Sequence, residues 1–219
     1  MERSLPEHGA PQAVIFDCDG VLVDSEAPAV AIDQIMLRDF GIDLPLDEIH
    51  ARFVGMTEAA YIAELERMVG PLPPGWREPY RPLYEHALGD GLQAIEGVDA
   101  VIESLTVPTA VASNSSHPRI RRSLGRVGLL HHFDGRIVSA QDVPRGKPAP
   151  DVYLWAAALL QVSPEACVAI EDSPTGARAA RSAGMRVFGY VDGLTSRQLL
   201  RAEGATTFTA MEELLDLIR

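Results

Sequence analysis

The residues best suited to chemistry lie in four short clusters. Asp17 and Asp19 flank Cys18 and precede Gly20, while Glu171 and Asp172 are adjacent and lead into Ser173-Pro174. A carboxylate pair at the end of a buried element either repels or shares a cation, and hard oxygen ligands with room for water suit Mg²⁺. Two such pairs on one rim would be strongly destabilised without a divalent ion. Ser113-Asn114-Ser115-Ser116 supplies hydroxyls and backbone N–H groups just ahead of a predicted helix, the setting of an anion site, although the same residue types also serve as ordinary helix caps. Lys147 is the only lysine in the chain and lies between Gly146 and Pro148. A nucleophilic carboxylate, a phosphate cradle, a cation and a divalent-metal clamp are the recurring parts of phosphoryl transfer.

Such clusters need a scaffold that brings them to one edge. Short apolar runs at 13–16, 109–112, 135–138, 167–170, 186–189 and 206–208 read as strands. Between them, apolar spacing predicts helices through Val98, Val101, Ile102 and Leu105, through Ile120, Leu124 and Val127, and through Val152, Trp155 and Leu159. Asp151 is expected to cap the third of these, Ser173 with Pro174 to open another, and Thr209 to Glu212 to form a capping box for the last. This alternation predicts an α/β fold with a Rossmann-like parallel-sheet core, whose ligands bind at the carboxyl ends of the strands. Three of the four clusters directly follow predicted strands.

Residues 26–92 break the rhythm, with helical stripes at Ile32, Ile35, Met36, Phe40 and at Tyr61, Ile62, Leu65, Val69, punctuated by Gly and Pro. They read as an inserted helical cap domain hinged near 24–27 and 89–97, leaving 11–25 and 93–219 as the core domain. Trp76, Tyr80 and Tyr84 are expected to stack its last helix on its neighbours. The first ten residues carry no apolar pattern and are expected to be disordered.

Composition sets the limits. The 219 residues, 47% hydrophobic and 23% charged, suffice for one domain with an insertion and argue against disorder. A net charge of -12 leaves no basic field for duplex DNA or RNA, so no nucleic-acid partner is expected. No apolar run approaches the roughly 18–20 residues of a membrane span. Cys18 and Cys167 have no ligand-type spacing, and alternation turns Cys18 away from the acids beside it. The expectation is a soluble, cytoplasmic protein that binds a small molecule.

The four clusters resemble the four motifs of the haloacid dehalogenase superfamily in its Mg²⁺-dependent phosphatase branch, and the likeness spans nearly the whole chain. That resemblance implies that Asp17 attacks phosphorus to give an aspartyl-phosphate and that Asp19 protonates the leaving oxygen, then activates water. It implies that Ser113 and the Asn114 backbone hold phosphoryl oxygens, with Lys147 orienting the nucleophile and offsetting charge. Mg²⁺ would be held by Asp17, the Asp19 backbone carbonyl and Asp172, with Glu171 as a second or water-mediated contact. The insertion resembles the helical cap of phosphoglycolate phosphatases, β-phosphoglucomutases and small sugar phosphatases, whose flanking signatures Asp24-Ser25-Glu26, Val54 to Thr57 and Leu92 to Gly97 look like. A phosphorylated sugar or related metabolite is the implied substrate, with Arg52 and Thr57 as cap residues placed to contact it. A mutase of this type carries a histidine after the first motif and an arginine in the cap loop, where this chain has Ala29 and Glu58. A phosphate-binding module without catalysis is the remaining alternative. His117, His131 and His132 are read as structural.

Overall fold

The computed structural model describes residues 9–54, 56–89, 91–191 and 195–218. Residues 1–8 of the segment expected to be disordered lie outside them, as do Gly55 in a cap-flanking signature and Asp90 in the second expected hinge. An uninterrupted apolar strand must be covered on both faces, so the run at 13–16 belongs at the centre of a parallel sheet. There it forms β1 (Ala13–Phe16), fully buried, with β2 (Thr109–Ser113) on one side and β4 (Cys167–Glu171) on the other. β3 (Ile137–Ser139), β5 (Arg186–Tyr190) and β6 (Thr206–Phe208) complete a parallel six-stranded sheet in the order β3-β2-β1-β4-β5-β6. The order reverses at β1, and ligands bind such sheets beyond the strand ends at that point.

Alternation along β1 divides the core. Val14 and Phe16 face a layer built by α5 (Val98–Ser104), α6 (His117–Arg126) and α10 (Glu213–Leu217). Ala13 and Ile15 face α7 (Asp151–Leu159), α8 (Pro174–Ser182) and α9 (Arg197–Ala202). α1 (Glu26–Asp39), α2 (Leu46–Phe53), α3 (Glu58–Val69) and α4 (Arg81–Ala87) gather around an apolar cluster of their own, with Met36, Leu37, Ile49, Phe53 and Leu65 at its centre. Among the described residues no helix is long and apolar enough to cross a membrane.

Several local expectations are corrected. β3 begins two residues late because Gly135, at φ +71°, completes a turn before it. In α7 the buried face is Val152, Tyr153, Ala156 and Ala157, whereas Trp155 and Leu159 are exposed. Small alanines let this helix approach the sheet closely, so the bulky residues turn outward. Ile35 is likewise exposed, while Ile32 and Met36 are buried. Asp151 is the first residue of α7 rather than its cap, and it pairs with Arg145 at 3.0 Å. The last helix is held one residue later than the capping box predicts: Glu213, not Glu212, accepts from the Thr209 N–H, the Thr209 hydroxyl and the Ala210 N–H. Ser173 caps α8 as expected, accepting from the Gly176 N–H at 3.0 Å.

Candidate active site

Each cluster arrives at the rim because a buried strand ends there. Asp17 follows β1 and is 7% exposed; its Oδ1 accepts the Cys18 N–H at 2.7 Å and lies 3.0 Å from the Lys147 ammonium. Lys147 reaches Glu171 at the end of β4, with Nζ 2.6 Å from Oε1. Tyr153 of α7 donates to the same oxygen at 2.6 Å, and the other oxygen accepts from the Asp172 N–H and from the Ser173 N–H and hydroxyl. Glu171 is therefore an anchor for the lysine and for the turn into α8. Gly176 is required there, since a Cβ would fall 1.8 Å from the Glu171 carboxylate.

Asp19 lies across the cleft. Its carboxylate accepts from the Ser25 hydroxyl at 2.6 Å, the Ser115 hydroxyl at 2.7 Å and Arg119 at 3.1 Å. Burial raises its pKa, but Arg119 and the two hydroxyls more than offset this and hold the carboxyl below its usual value. Asp17 behaves oppositely. Burial, only partly offset by Lys147 and reinforced by Glu171 and Asp19, raises it to about 7. Burial would also lower the Lys147 pKa, yet the charges of Asp17 and Glu171 prevail and hold the ammonium above its ordinary value. Ser113 lines the cleft beside these groups. The Asn114 side chain is engaged elsewhere, accepting from the Lys147 N–H at 2.8 Å and donating to the Lys147 carbonyl at 3.2 Å.

Asp172 is the group in want of a partner. It is 1% exposed, and neither carboxylate oxygen receives a hydrogen bond from a fixed donor. The Glu26 carboxyl lies against it, and those two acids can bond only when one holds a proton. Burial, followed by Glu26, Glu171 and Asp17, holds its pKa well above the usual carboxylate range. Ligand oxygens of Asp17, Glu171 and Asp172 lie within 4.8 Å of one another. Orphaned buried oxygens in an all-carboxylate set suit a hard divalent cation, so these residues fit a metal centre. Gly20, at φ +74°, makes the crowding possible: a Cβ would lie 1.9 Å from Asp172 Oδ2.

The cleft has two connected chambers. The inner one, about 160 Å³, holds Asp17, Asp19, Ser113 and Lys147; the outer one, about 370 Å³, shares with it Met56, Tyr61, Asn114, Ser115 and Arg119. Asp17, Asp19, Ser113, Asn114, Lys147, Glu171 and Asp172 are thus brought together. Arg52 is not: it faces Glu48 at 2.8 Å and Glu64 at 3.5 Å, outside both chambers. Thr57 caps α3 and packs toward Gly146 without lining either chamber. Cys18 is buried in the core facing away from the acids, and His117 and His132 pair with Asp142 and Asp99. The sequence reading missed Arg119, Asp33, Tyr61, Arg77, the ring of Tyr84 as a cleft wall, and the buried Glu26–His50 pair at 2.9 Å. Arg119 had a signal, lying one helical turn beyond Ser115.

Fold and site together define an α/β hydrolytic enzyme in which buried acids surround a buried lysine at the switch point of the sheet. The chain belongs to the haloacid dehalogenase-like hydrolases, whose family model matches residues 11–184. It is 34% identical to the 6-phosphogluconate phosphatase of Escherichia coli K12 over 94% of both chains. It is 28% identical to the phosphorylated carbohydrates phosphatase of Thermotoga maritima, over 95% of this chain and 98% of that one. The crystal structure of a hydrolase of this family from Deinococcus radiodurans, with bound phosphate and sodium, superposes with a TM-score of 0.78 at 34% identity, covering 94% of each chain.

Proposed function

We propose that the protein is a Mg²⁺-dependent phosphomonoester hydrolase acting on a phosphorylated sugar or a related small metabolite. The observation that carries the reading is the buried Lys147 ammonium 3.0 Å from Asp17, facing Asp19 across a small polar chamber. The relatives named as phosphatases of 6-phosphogluconate and of phosphorylated carbohydrates support the substrate class.

In the first half-reaction an Asp17 oxygen bonds to phosphorus as the bond to the leaving oxygen breaks, giving an aspartyl-phosphate. Asp19, carrying a proton, transfers it to that oxygen and becomes a carboxylate. In the second, Asp19 takes a proton from water, the water oxygen bonds to phosphorus, and the bond to Asp17 breaks, returning both acids to their starting forms. Ser113 and the Asn114 backbone hold phosphoryl oxygens, and Lys147 orients Asp17 and offsets the developing charge. Asp17, the Asp19 carbonyl and Asp172 would hold Mg²⁺, with Glu171 reaching it through water; when bound, the ion neutralises phosphoryl charge. Arg119 favours the ionised form of Asp19, so an arriving phosphate that draws Arg119 away also frees Asp19 to carry its proton. Residues 26–92 act as a cap that closes over the chamber, hinged near 24–27 and 89–97, and selects the leaving group. The setting proposed is cytoplasmic, in keeping with the free thiols of Cys18 and Cys167.

The test is phosphate release from a panel of sugar, polyol and sugar-acid phosphates, with Mg²⁺ or EDTA, for wild type and Asp17→Asn. Release requiring both Mg²⁺ and Asp17 is expected. Release by Asp17→Asn at the wild-type rate would refute the mechanism. Conversion of β-glucose 1-phosphate to glucose 6-phosphate without free phosphate would instead establish a mutase.

A further inference from the structure

The outer chamber has a polar wall that the hydrolytic chemistry leaves unused. Asp33, in the middle of α1, is 6% exposed. Its Oδ1 accepts the Tyr61 hydroxyl from α3 at 2.6 Å and the Tyr84 hydroxyl from α4 at 2.5 Å. Burial and then the Asp33 charge push both phenols up, so they remain protonated donors. Three helices thus converge to orient one carboxylate. Asp33 lines the chamber, and among the described residues no donor meets its Oδ2. An oxygen open to the chamber is placed to accept from an occupant, and the two cations lining this chamber are committed: Arg77 pairs with Glu58 at 2.5 Å and Arg119 with Asp19 at 3.1 Å. Arg77 is further fixed over the rings of Tyr61 and Trp76, at 5.1 and 4.6 Å.

We propose that Asp33 is a specificity-determining residue that accepts a hydrogen bond from a hydroxyl of the leaving group, with Tyr61 and Tyr84 as its positioning residues. The inference rests on the phosphomonoesterase reading and extends it. The inner chamber receives the phosphate, and the shared wall directs the rest of the ester toward Asp33. A leaving group bearing several hydroxyls supplies the missing donor, whereas an alkyl chain leaves the carboxylate desolvated and unpaired. Sites built to bond a hydroxyl reject the analogue lacking it strongly, because the site's own polar group is then orphaned.

The experiment compares kcat/KM for glucitol 6-phosphate and n-hexyl phosphate, esters of matched chain length with and without hydroxyls, in wild type, Asp33→Asn and Tyr84→Phe. The readout is the ratio of the two values, which loss of folded protein leaves unchanged. Wild type is expected to favour the polyol ester by a factor on the order of 100 or more. Asp33→Asn, which keeps the shape and the contacts to the phenols, should reduce the ratio about ten- to a hundredfold, as expected for a hydrogen bond to a charged group. Tyr84→Phe should reduce it less, mainly through KM for the polyol ester. An unchanged ratio in Asp33→Asn, or a wild type indifferent to the hydroxyls, overturns the proposal while the phosphatase reading stands. Absence of phosphate release from both esters and from p-nitrophenyl phosphate overturns both.

Discussion

Free of divalent metal, the protein should be sensitive to alkaline pH through Asp17. Folding raises this carboxyl from 3.8 to about 7, so between those values the folded chain binds more protons than the unfolded one. Stability of the metal-free protein therefore falls as pH rises through this window and levels off above it. The loss from Asp17 alone is about 4 kcal/mol at pH 8, from ~1.4 kcal/mol for each tenfold change in proton affinity. For a chain of this size that corresponds to roughly 8–16 °C in melting temperature. Titrations elsewhere also change stability, so the informative quantity is the gap between Asp17→Asn and wild type. In EDTA at pH 8 the variant, which replaces a buried charge with a neutral group of the same shape, should melt higher by about this amount. At pH 5 the folded Asp17 holds its proton while the unfolded one is still ionised, so the gap should narrow to about 1.7 kcal/mol and close only below the unfolded value of 3.8. Saturating Mg²⁺ at pH 8 should raise the wild type more than the variant. Circular-dichroism melts at both pH values, with and without Mg²⁺, measure all three. Equal melting temperatures for the two proteins in EDTA at pH 8, or a gap independent of pH, would refute the assignment of a strained carboxyl at Asp17.

Three other perturbations test separate parts of the site. Lys147→Met removes the cation shared by Asp17 and Glu171 and should destabilise the protein by about 3–5 kcal/mol, read by denaturant unfolding at pH 8, with a smaller loss at pH 5, where Asp17 holds a proton. Arg119→Ala releases Asp19 from the charge that lowers its pKa, so the alkaline limb of kcat/KM should move to higher pH; an unmoved limb would exclude Asp19 as the acid. Arg52→Ala interrupts a half-buried network and should cost about 1 kcal/mol, with kcat/KM for sugar phosphates unchanged; a large rise in KM would return Arg52 to the substrate.

The meeting of the acids, the lysine and the serine turn at one rim was legible in the sequence because each of these parts sits just beyond a strand or in the loop before a helix. Parallel strands align their carboxyl ends, so position in the chain translates almost directly into position in space, and Asp17, Ser113 and Asp172 needed no further information to be brought together. The specificity wall offered no such rule. Asp33, Tyr61 and Tyr84 come from three helices at intervals of 28 and 23 residues, and only the packing of those helices decides which faces meet. Arg52 stood out in the sequence for its charge, yet α2 turns it toward Glu48 and α3. The misplaced face of α7 has a related cause. Apolar size marks a stripe, but close approach to a sheet favours alanine over tryptophan, and the composition of a stripe does not say how near its partner lies. The shift of the final cap from Glu212 to Glu213 depends on one extra turn residue, which neighbouring glutamates conceal.

The Asn114 clamp on Lys147 has a dynamic consequence. Both polar ends of one amide are bonded to the backbone of a residue 33 positions later, so the turn after β2 and the loop before α7 move as one body. Thermal displacement of either carries the other with it, and the spacing between the oxyanion-facing turn and the ammonium is kept through such motion. The site then needs little reorganisation when charge develops on the phosphoryl group, because the dipoles that meet it are already fixed. Adaptation to different leaving groups is left to helices α1, α3 and α4, which can vary without disturbing that fixed geometry.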